Sequence, residues 1–197
     1  SRSHNCRSKM TLKKAAFLDR DGVINVDHAY VHTPEEFSFI DGVFEACRKL
    51  QSAGFLLIIA TNQSGIGRGY YSEQDFNALC GWMKSQFEQK GIRIDDIFFC
   101  PHHPQKALEK YRCECNCRKP KPGMLLAAQQ KWSIDMKASL MVGDKVSDMQ
   151  AAAAAGIGTR ILVGKDGLVR PEPVEECTHT AKNLLEATNF ITLEHPL

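Results

Sequence analysis

Five short runs dominated by apolar residues punctuate the chain, at residues 14–18, 55–60, 96–100, 140–143 and 159–163. Each is too short for a buried helix and reads as a strand covered on both faces. Between them, apolar residues recur at three- and four-residue spacing. Residues 43–53 predict a helix stopped by Gly54, and Ser72 opens a longer one to about residue 90, with Phe76, Leu79, Met83 and Phe87 on its inner face. Residues 124–130 and an alanine-rich stretch at 147–155, stopped by Gly156, predict two more, and the tail from Asn183 a peripheral helix. Thr33-Pro34-Glu35-Glu36 has a capping-box pattern suited to a short turn.

Strand and helix alternating in this way predict an α/β fold, a doubly wound and mainly parallel sheet with right-handed crossovers. In such sheets ligands bind outside the carboxyl ends of the strands. Three of the runs end in polar groups: Asp19-Arg20-Asp21-Gly22, Thr61-Asn62-Gln63-Ser64, and Gly143-Asp144. The topology would therefore gather Asp19, Thr61 and Asp144 despite their separation in sequence. A bend at Gly22 would let Asp19 and Asp21 reach one ligand. One carboxylate can attack phosphorus while the second protonates the leaving oxygen and later activates water.

These motifs, with Lys119 following Cys117 and Arg118, resemble the haloacid dehalogenase (HAD) superfamily of phosphatases. Asp-Arg-Asp-Gly-Val-Ile-Asn, Thr-Asn-Gln-Ser-Gly-Ile-Gly-Arg-Gly, Cys-Pro-His-His-Pro and Cys-Arg-Lys-Pro-Lys-Pro-Gly-Met resemble its heptose-bisphosphate phosphatase branch, over about residues 16–164. The resemblance implies a Mg²⁺-dependent phosphatase that removes the C7 phosphate of a heptose 1,7-bisphosphate, as a step toward nucleotide-activated heptose and lipopolysaccharide core. Histidinol phosphate is the alternative substrate. It implies Asp19 as nucleophile, Asp21 as general acid and base, and Thr61 and Lys119 as phosphoryl stabilisers. Mg²⁺ would be held by Asp19, Asp144 and the Asp21 carbonyl. Asp27, His28, Tyr30, Asn62, Gln63, Ser64, Arg118 and Lys145 would contact the phosphosugar, although Ala29 stands where glycine is expected. Lys121 contests the role of Lys119. Asp148, a turn beyond Asp144, is expected mainly to cap a helix.

Many family members carry a cap domain. The spacing here leaves no room for one, so an open, capless site is expected, with selection by short loops. Gly65, Gly67 and Gly69 lack the Gly-Lys-Ser/Thr ending of a nucleotide-binding loop and suggest a flexible substrate loop.

Four of the eight cysteines are dispersed, and four cluster between residues 100 and 117. Together with His102 and His103 they supply more soft ligands than the four a structural zinc needs. The resemblance assigns Zn²⁺ to Cys100, His102, Cys115 and Cys117, leaving His103 and Cys113 spare. Such a zinc-stabilised loop would position Arg118 and Lys119 without being catalytic.

Composition narrows the alternatives. The length of 197 residues suits one domain, and a net charge of +2 gives no support for nucleic-acid or membrane binding. Clustered cysteines and a polar, basic start suggest a reducing, cytoplasmic setting. Residues 1–9 read as a flexible leader or expression remnant ahead of a single phosphatase domain at 10–197, expected to act as a monomer. A non-catalytic, zinc-stabilised phospholigand-binding module is a further reading. Such a scaffold would be expected to lack Asp19 or Asp21, and both are present.

Overall fold

The structure, a computed structural model, describes residues 11–191; the leader expected at residues 1–9 lies outside them. Six strands form one sheet: β1 (Ala15–Leu18), β2 (Leu56–Asn62), β3 (Asp96–Cys100), β4 (Leu140–Gly143), β5 (Thr159–Val163) and β6 (His179–Ala181). Their order is β3-β2-β1-β4-β5-β6, and every pairing is parallel. The helices are α1 (Val43–Ser52), α2 (Ser64–Gly67), α3 (Glu73–Glu88), α4 (Gly123–Trp132), α5 (Val146–Ala154) and α6 (Leu184–Ala187).

The apolar runs are continuous because both faces of the sheet are covered. Alternate residues of one strand project to opposite sides. Ala16, Leu18, Leu57, Ile59, Val142 and Ile161 enter a core that also takes Val43, Leu50, Leu79, Met83, Phe87 and Leu184 from α1, α3 and α6. Ala15, Phe17, Ile58, Ala60, Met141 and Leu162 enter a second core with Met124, Leu125 and Ala128 of α4 and Met149 and Ala152 of α5. Phe17 is wholly buried, and burying a side chain of that size contributes about 1.5–3 kcal/mol. Ser72 caps α3 as predicted: its hydroxyl accepts from the Asp75 N–H at 3.0 Å while the Asp75 carboxylate accepts from the Ser72 N–H.

Several expectations are corrected. β6 went unpredicted because His-Thr-Ala has no apolar run; it forms by pairing with β5, Leu162 beside Thr180. The predicted tail helix is present: α6 is capped by Asn183 Oδ1 accepting from the Glu186 N–H at 2.9 Å and runs on through a 3₁₀ turn, Thr188–Phe190, to Ile191, the last described residue. Thr33 forms no capping box. Its hydroxyl donates to the Glu36 carboxylate at 2.8 Å, because a three-residue 3₁₀ turn, Pro34–Glu36, is short enough for Glu36 to reach back. The stretch with Gly65 and Gly67 is no flexible loop but the packed turn α2. A Cβ on Gly67 would fall 2.3 Å from the Pro101 carbonyl oxygen, so only glycine permits that approach.

The order reverses at β1, whose neighbours are β2 on one side and β4 on the other. At such a switch point the loops splay apart and open a crevice. Among the described residues no cap domain stands over it: residues 19–42 and 101–122 are loops with isolated 3₁₀ turns. Nor is any described helix long and apolar enough to cross a membrane.

Candidate active site

Asp19 follows the last residue of β1, and its N–H bonds the Val142 carbonyl of β4 at 3.1 Å, which fixes its backbone at the switch point. Its Oδ1 accepts from the Arg20 N–H at 2.9 Å and lies 3.1 Å from Lys119 Nζ. Among the described residues no donor holds Oδ2. Gly22 makes the next turn at φ +87°, and a Cβ there would sit 2.2 Å from Asp144 Oδ2. Any larger residue would therefore push the β1 loop off the β4 loop.

Lys119 arrives from the loop before α4 and is buried. Its ammonium contacts Asp19 at 3.1 Å, Asp148 Oδ1 at 2.6 Å and the Ala60 carbonyl at 2.8 Å. Burial alone would lower its pKa, but the Asp148 and Asp19 charges outweigh that and hold it above the ordinary lysine value. Lys121 is exposed and pairs with Glu114 at 3.5 Å, whereas Lys119 is the lysine that contacts Asp19. Asp148 caps α5, accepting from the Lys145 N–H at 3.1 Å, and also binds Lys119. The capping expectation captured half of its role.

Carboxylate oxygens of Asp19, Asp144 and Asp148 lie within 4.8 Å of one another. Burial, then the Asp148 charge, raises Asp19, with Lys119 opposing. Burial pushes the Asp144 carboxyl up to about 6, with Asp148 adding and Lys145 opposing. Asp144 Oδ1 is buried without a hydrogen-bond partner. A buried acidic group left orphaned in this way fits an oxygen-seeking divalent cation such as Mg²⁺. Because both Asp148 oxygens are engaged, the oxygens left facing such an ion come from Asp19 and Asp144.

Asp21 is half-buried and held by three donors: Arg20 Nη2 at 2.8 Å and Asn25 Nδ2 at 3.0 Å on Oδ1, and Gln63 Nε2 at 3.2 Å on Oδ2. Gln63 Nε2 also donates to Thr61 Oγ1 at 2.9 Å, and its Oε1 accepts from the Tyr71 hydroxyl at 2.5 Å. Arg20, Asn25 and Tyr71, which hold Asp21 and Gln63, were not singled out from the sequence. The available signal was that Arg20 and Asn25 both stand inside the Asp-Arg-Asp-Gly-Val-Ile-Asn motif. Asn62 clamps the Lys119 backbone, accepting from its N–H at 3.0 Å and donating to its carbonyl at 3.2 Å.

A cavity of about 500 Å³ opens beside these groups, lined by Asp21, Asp27, Tyr30, Ser64, Arg118, Lys119 and Lys145, with Asn62 and Gln63 also on its wall. Arg118 Nη1 is buried without a partner. Ala29 and Tyr30 adopt left-handed φ values of 59° and 56°, the conformation that made glycine the expected residue at 29, and Asp27 Oδ1 steadies the turn by accepting from the Ala29 N–H at 3.0 Å. His28 is exposed and not among the cavity-lining residues.

The ligand atoms of Cys100, His102, Cys115 and Cys117 also lie within 4.8 Å of one another and could hold one metal ion. Cys100 ends β3, so this cluster is anchored beside the end of β2. His102 presents Nδ1, 3.4 Å from Cys117 Sγ. His103 is committed elsewhere, its Nδ1 accepting from the Gln105 and Lys106 N–H groups, and Cys113 is exposed. Burial would raise the Cys115 thiol, but hydrogen bonds from the Arg118 N–H and neighbouring cysteines bring it down to about 7. Three sulfurs and one imidazole nitrogen, one of the thiols acidic, match a closed zinc site.

Residues 116–187 match the HAD-hydrolase-like family model. The chain is 57% identical over 151 residues to the D-glycero-beta-D-manno-heptose-1,7-bisphosphate 7-phosphatase of Vibrio cholerae, covering 77% of this chain and 81% of that protein. It belongs to the heptose-1,7-bisphosphate 7-phosphatase family. It is 53% identical to the Escherichia coli K12 member over 158 residues, 80% of this chain and 83% of that one. The D,D-heptose 1,7-bisphosphate phosphatase of B. bronchiseptica, solved with magnesium and phosphate, superposes with a TM-score of 0.78 at 34% identity, over 92% of this chain and 99% of that one. A match over nearly the whole of both chains shows that the two share this fold.

Proposed function

We propose that this chain is a Mg²⁺-dependent phosphatase that releases the C7 phosphate of D-glycero-D-manno-heptose 1,7-bisphosphate through a phosphoryl group carried on Asp19, in the supply of nucleotide-activated heptose. The observation that carries it is the disposition of Asp19: Oδ1 is immobilised by Lys119 and the Arg20 N–H, Oδ2 has no donor among the described residues, and a second acid stands two residues on. Asp19 Oδ2 attacks phosphorus while Asp21 delivers a proton to the departing sugar oxygen. Asp21 then takes a proton from the water that hydrolyses the phosphoryl-aspartate. Lys119 and the Thr61 hydroxyl bind phosphoryl oxygens, so positioning and electrostatics supply most of the rate.

Mg²⁺ fits the Asp19 and Asp144 carboxylates with the Asp21 carbonyl, and when bound offsets the repulsion between phosphate and carboxylate. Zn²⁺ fits Cys100, His102, Cys115 and Cys117; with all four positions filled by protein, its role is to hold the loop that presents Arg118 and Lys119. The free guanidinium nitrogen of Arg118 and the Lys145 ammonium suit the second anion of a bisphosphate better than the cationic amine of histidinol phosphate.

The test is Mg²⁺-dependent phosphate release from the heptose bisphosphate and from histidinol phosphate in parallel, with Asp19→Asn as blank. Preference for the bisphosphate, with the C1 phosphate retained and no turnover in the variant, is expected. Preference for histidinol phosphate would overturn the substrate assignment, and turnover by Asp19→Asn the mechanism.

A further inference from the structure

Gln63 was expected to touch substrate, yet it is 3% exposed and both of its amide hydrogens are committed within the protein. We propose that Gln63, oriented by the Tyr71 hydroxyl, is a positioning residue that selects the proton-transfer oxygen of Asp21 and turns the Thr61 hydroxyl toward the phosphoryl group. The inference rests on the phosphatase reading above.

The polarity of the network follows from its far end. The Tyr71 ring is stacked on His32, with centroids 4.9 Å apart and planes 4° apart. It also packs where Gly65 has no side chain, since a Cβ there would come within 2.3 Å of the ring. So placed, the Tyr71 hydroxyl donates to Gln63 Oε1, and the amide nitrogen must point the other way. The flipped amide would set Oε1 against the Asp21 carboxylate, acceptor against acceptor.

Two consequences reach the chemistry. Thr61 Oγ1 accepts from Gln63 at 2.9 Å, and its own hydrogen is held only by a long 3.4 Å bond to the Asn62 carbonyl among the described residues. Its proton is therefore available to a phosphoryl oxygen. On Asp21, Arg20 and Asn25 occupy both lone pairs of Oδ1, and Gln63 occupies one of Oδ2. A single lone pair, on Oδ2, is left to carry a proton. When the Asp19 Oδ2–P bond forms and the P–O7 bond breaks, the proton moves from Asp21 Oδ2 to O7. In the second step water gives its oxygen to phosphorus and its proton to the same Oδ2, and Asp19 is released.

The experiment compares Gln63→Leu, Tyr71→Phe and the double variant with wild type on two esters: heptose 1,7-bisphosphate, whose alkoxide must be protonated, and para-nitrophenyl phosphate, whose leaving group need not be. For Gln63→Leu, kcat/KM on the sugar should fall about 100-fold, the lower end of what general acid catalysis supplies, and distinctly less on the aryl ester. Tyr71→Phe, which keeps the ring and its packing, should show a smaller loss with the same ester dependence. The double variant should be no worse than Gln63→Leu, because both changes act through one amide. Equal losses on both esters, additive losses, or a raised KM at unchanged kcat would overturn the proposal. If the wild type turns over the aryl ester and another alkyl phosphate but not the heptose, the substrate reading fails, and the same comparison on that alkyl ester still decides the role of Gln63.

Discussion

Lys119→Met removes the ammonium that binds two buried carboxylates while nearly preserving side-chain length. Asp19 and Asp148, 3.1 and 2.6 Å from that nitrogen, are each less than a tenth exposed and would be left facing one another and Asp144. Breaking a buried ion pair by deleting one partner costs about 3–5 kcal/mol. In a chain of this size each kcal/mol lowers Tm by about 2–4 °C, so the melting temperature should drop by about 6–20 °C near pH 8. The pH dependence has a definite sign. Lys119, raised above its ordinary value, is fully charged throughout the range from pH 5 to 8, so wild type gains or loses nothing from it there. In the variant the uncompensated carboxyls of Asp19 and Asp144, which burial already raises, have folded pKa values above the ordinary ~3.9. Their penalty is full above the raised value and fades as pH falls toward 4 and they bind protons. Thermal melts of both proteins at about pH 5 and about pH 8, without added Mg²⁺, should therefore show the gap narrowing in acid. Turnover should fall about 10²–10³-fold, the loss typical of one preorganised phosphoryl- or oxyanion-stabilising group. A penalty below about 1 kcal/mol at pH 8, or one independent of pH, would refute the view that this ammonium neutralises a buried acidic cluster.

Two further variants probe the site's frame. Gly22→Ala places a methyl group 2.2 Å from Asp144 Oδ2 at a left-handed φ; it should abolish Mg²⁺-dependent turnover while costing about 1–3 kcal/mol in denaturant melts, and an active variant would show that the two loops can separate freely. Cys115→Ser should lose stoichiometric zinc by metal analysis and melt at lower temperature, whereas exposed Cys113→Ser should retain both; zinc loss from Cys113→Ser would break the four-ligand assignment.

Five of the six strands, the long helices, the acids at the strand ends and the cysteine cluster were legible in the sequence. Apolar runs bounded by Gly and polar caps report burial that is set locally, and strands buried on both faces leave such runs whatever packs against them. Strand β6 left no trace, because an edge strand of His, Thr and Ala owes its existence to the neighbour it pairs with. The candidate site divides along the same line. Strand-end positions placed Asp19, Asp21, Thr61 and Asp144 at one crevice, and the family resemblance added Lys119. Neither carried information on which way neighbouring polar side chains turn. Asn62 and Gln63 follow Thr61 directly, and the sequence offered both as substrate contacts. The fold turns one onto the Lys119 backbone, 57 positions away, and the other onto Asp21, 42 positions away. Asp148 likewise caps its own helix, as local pattern predicts, and binds Lys119 only because β4 and the zinc-type loop meet there. Local hydrophobic order is written residue by residue, whereas the partner of a buried polar group is chosen by whatever the completed fold brings within hydrogen-bond reach.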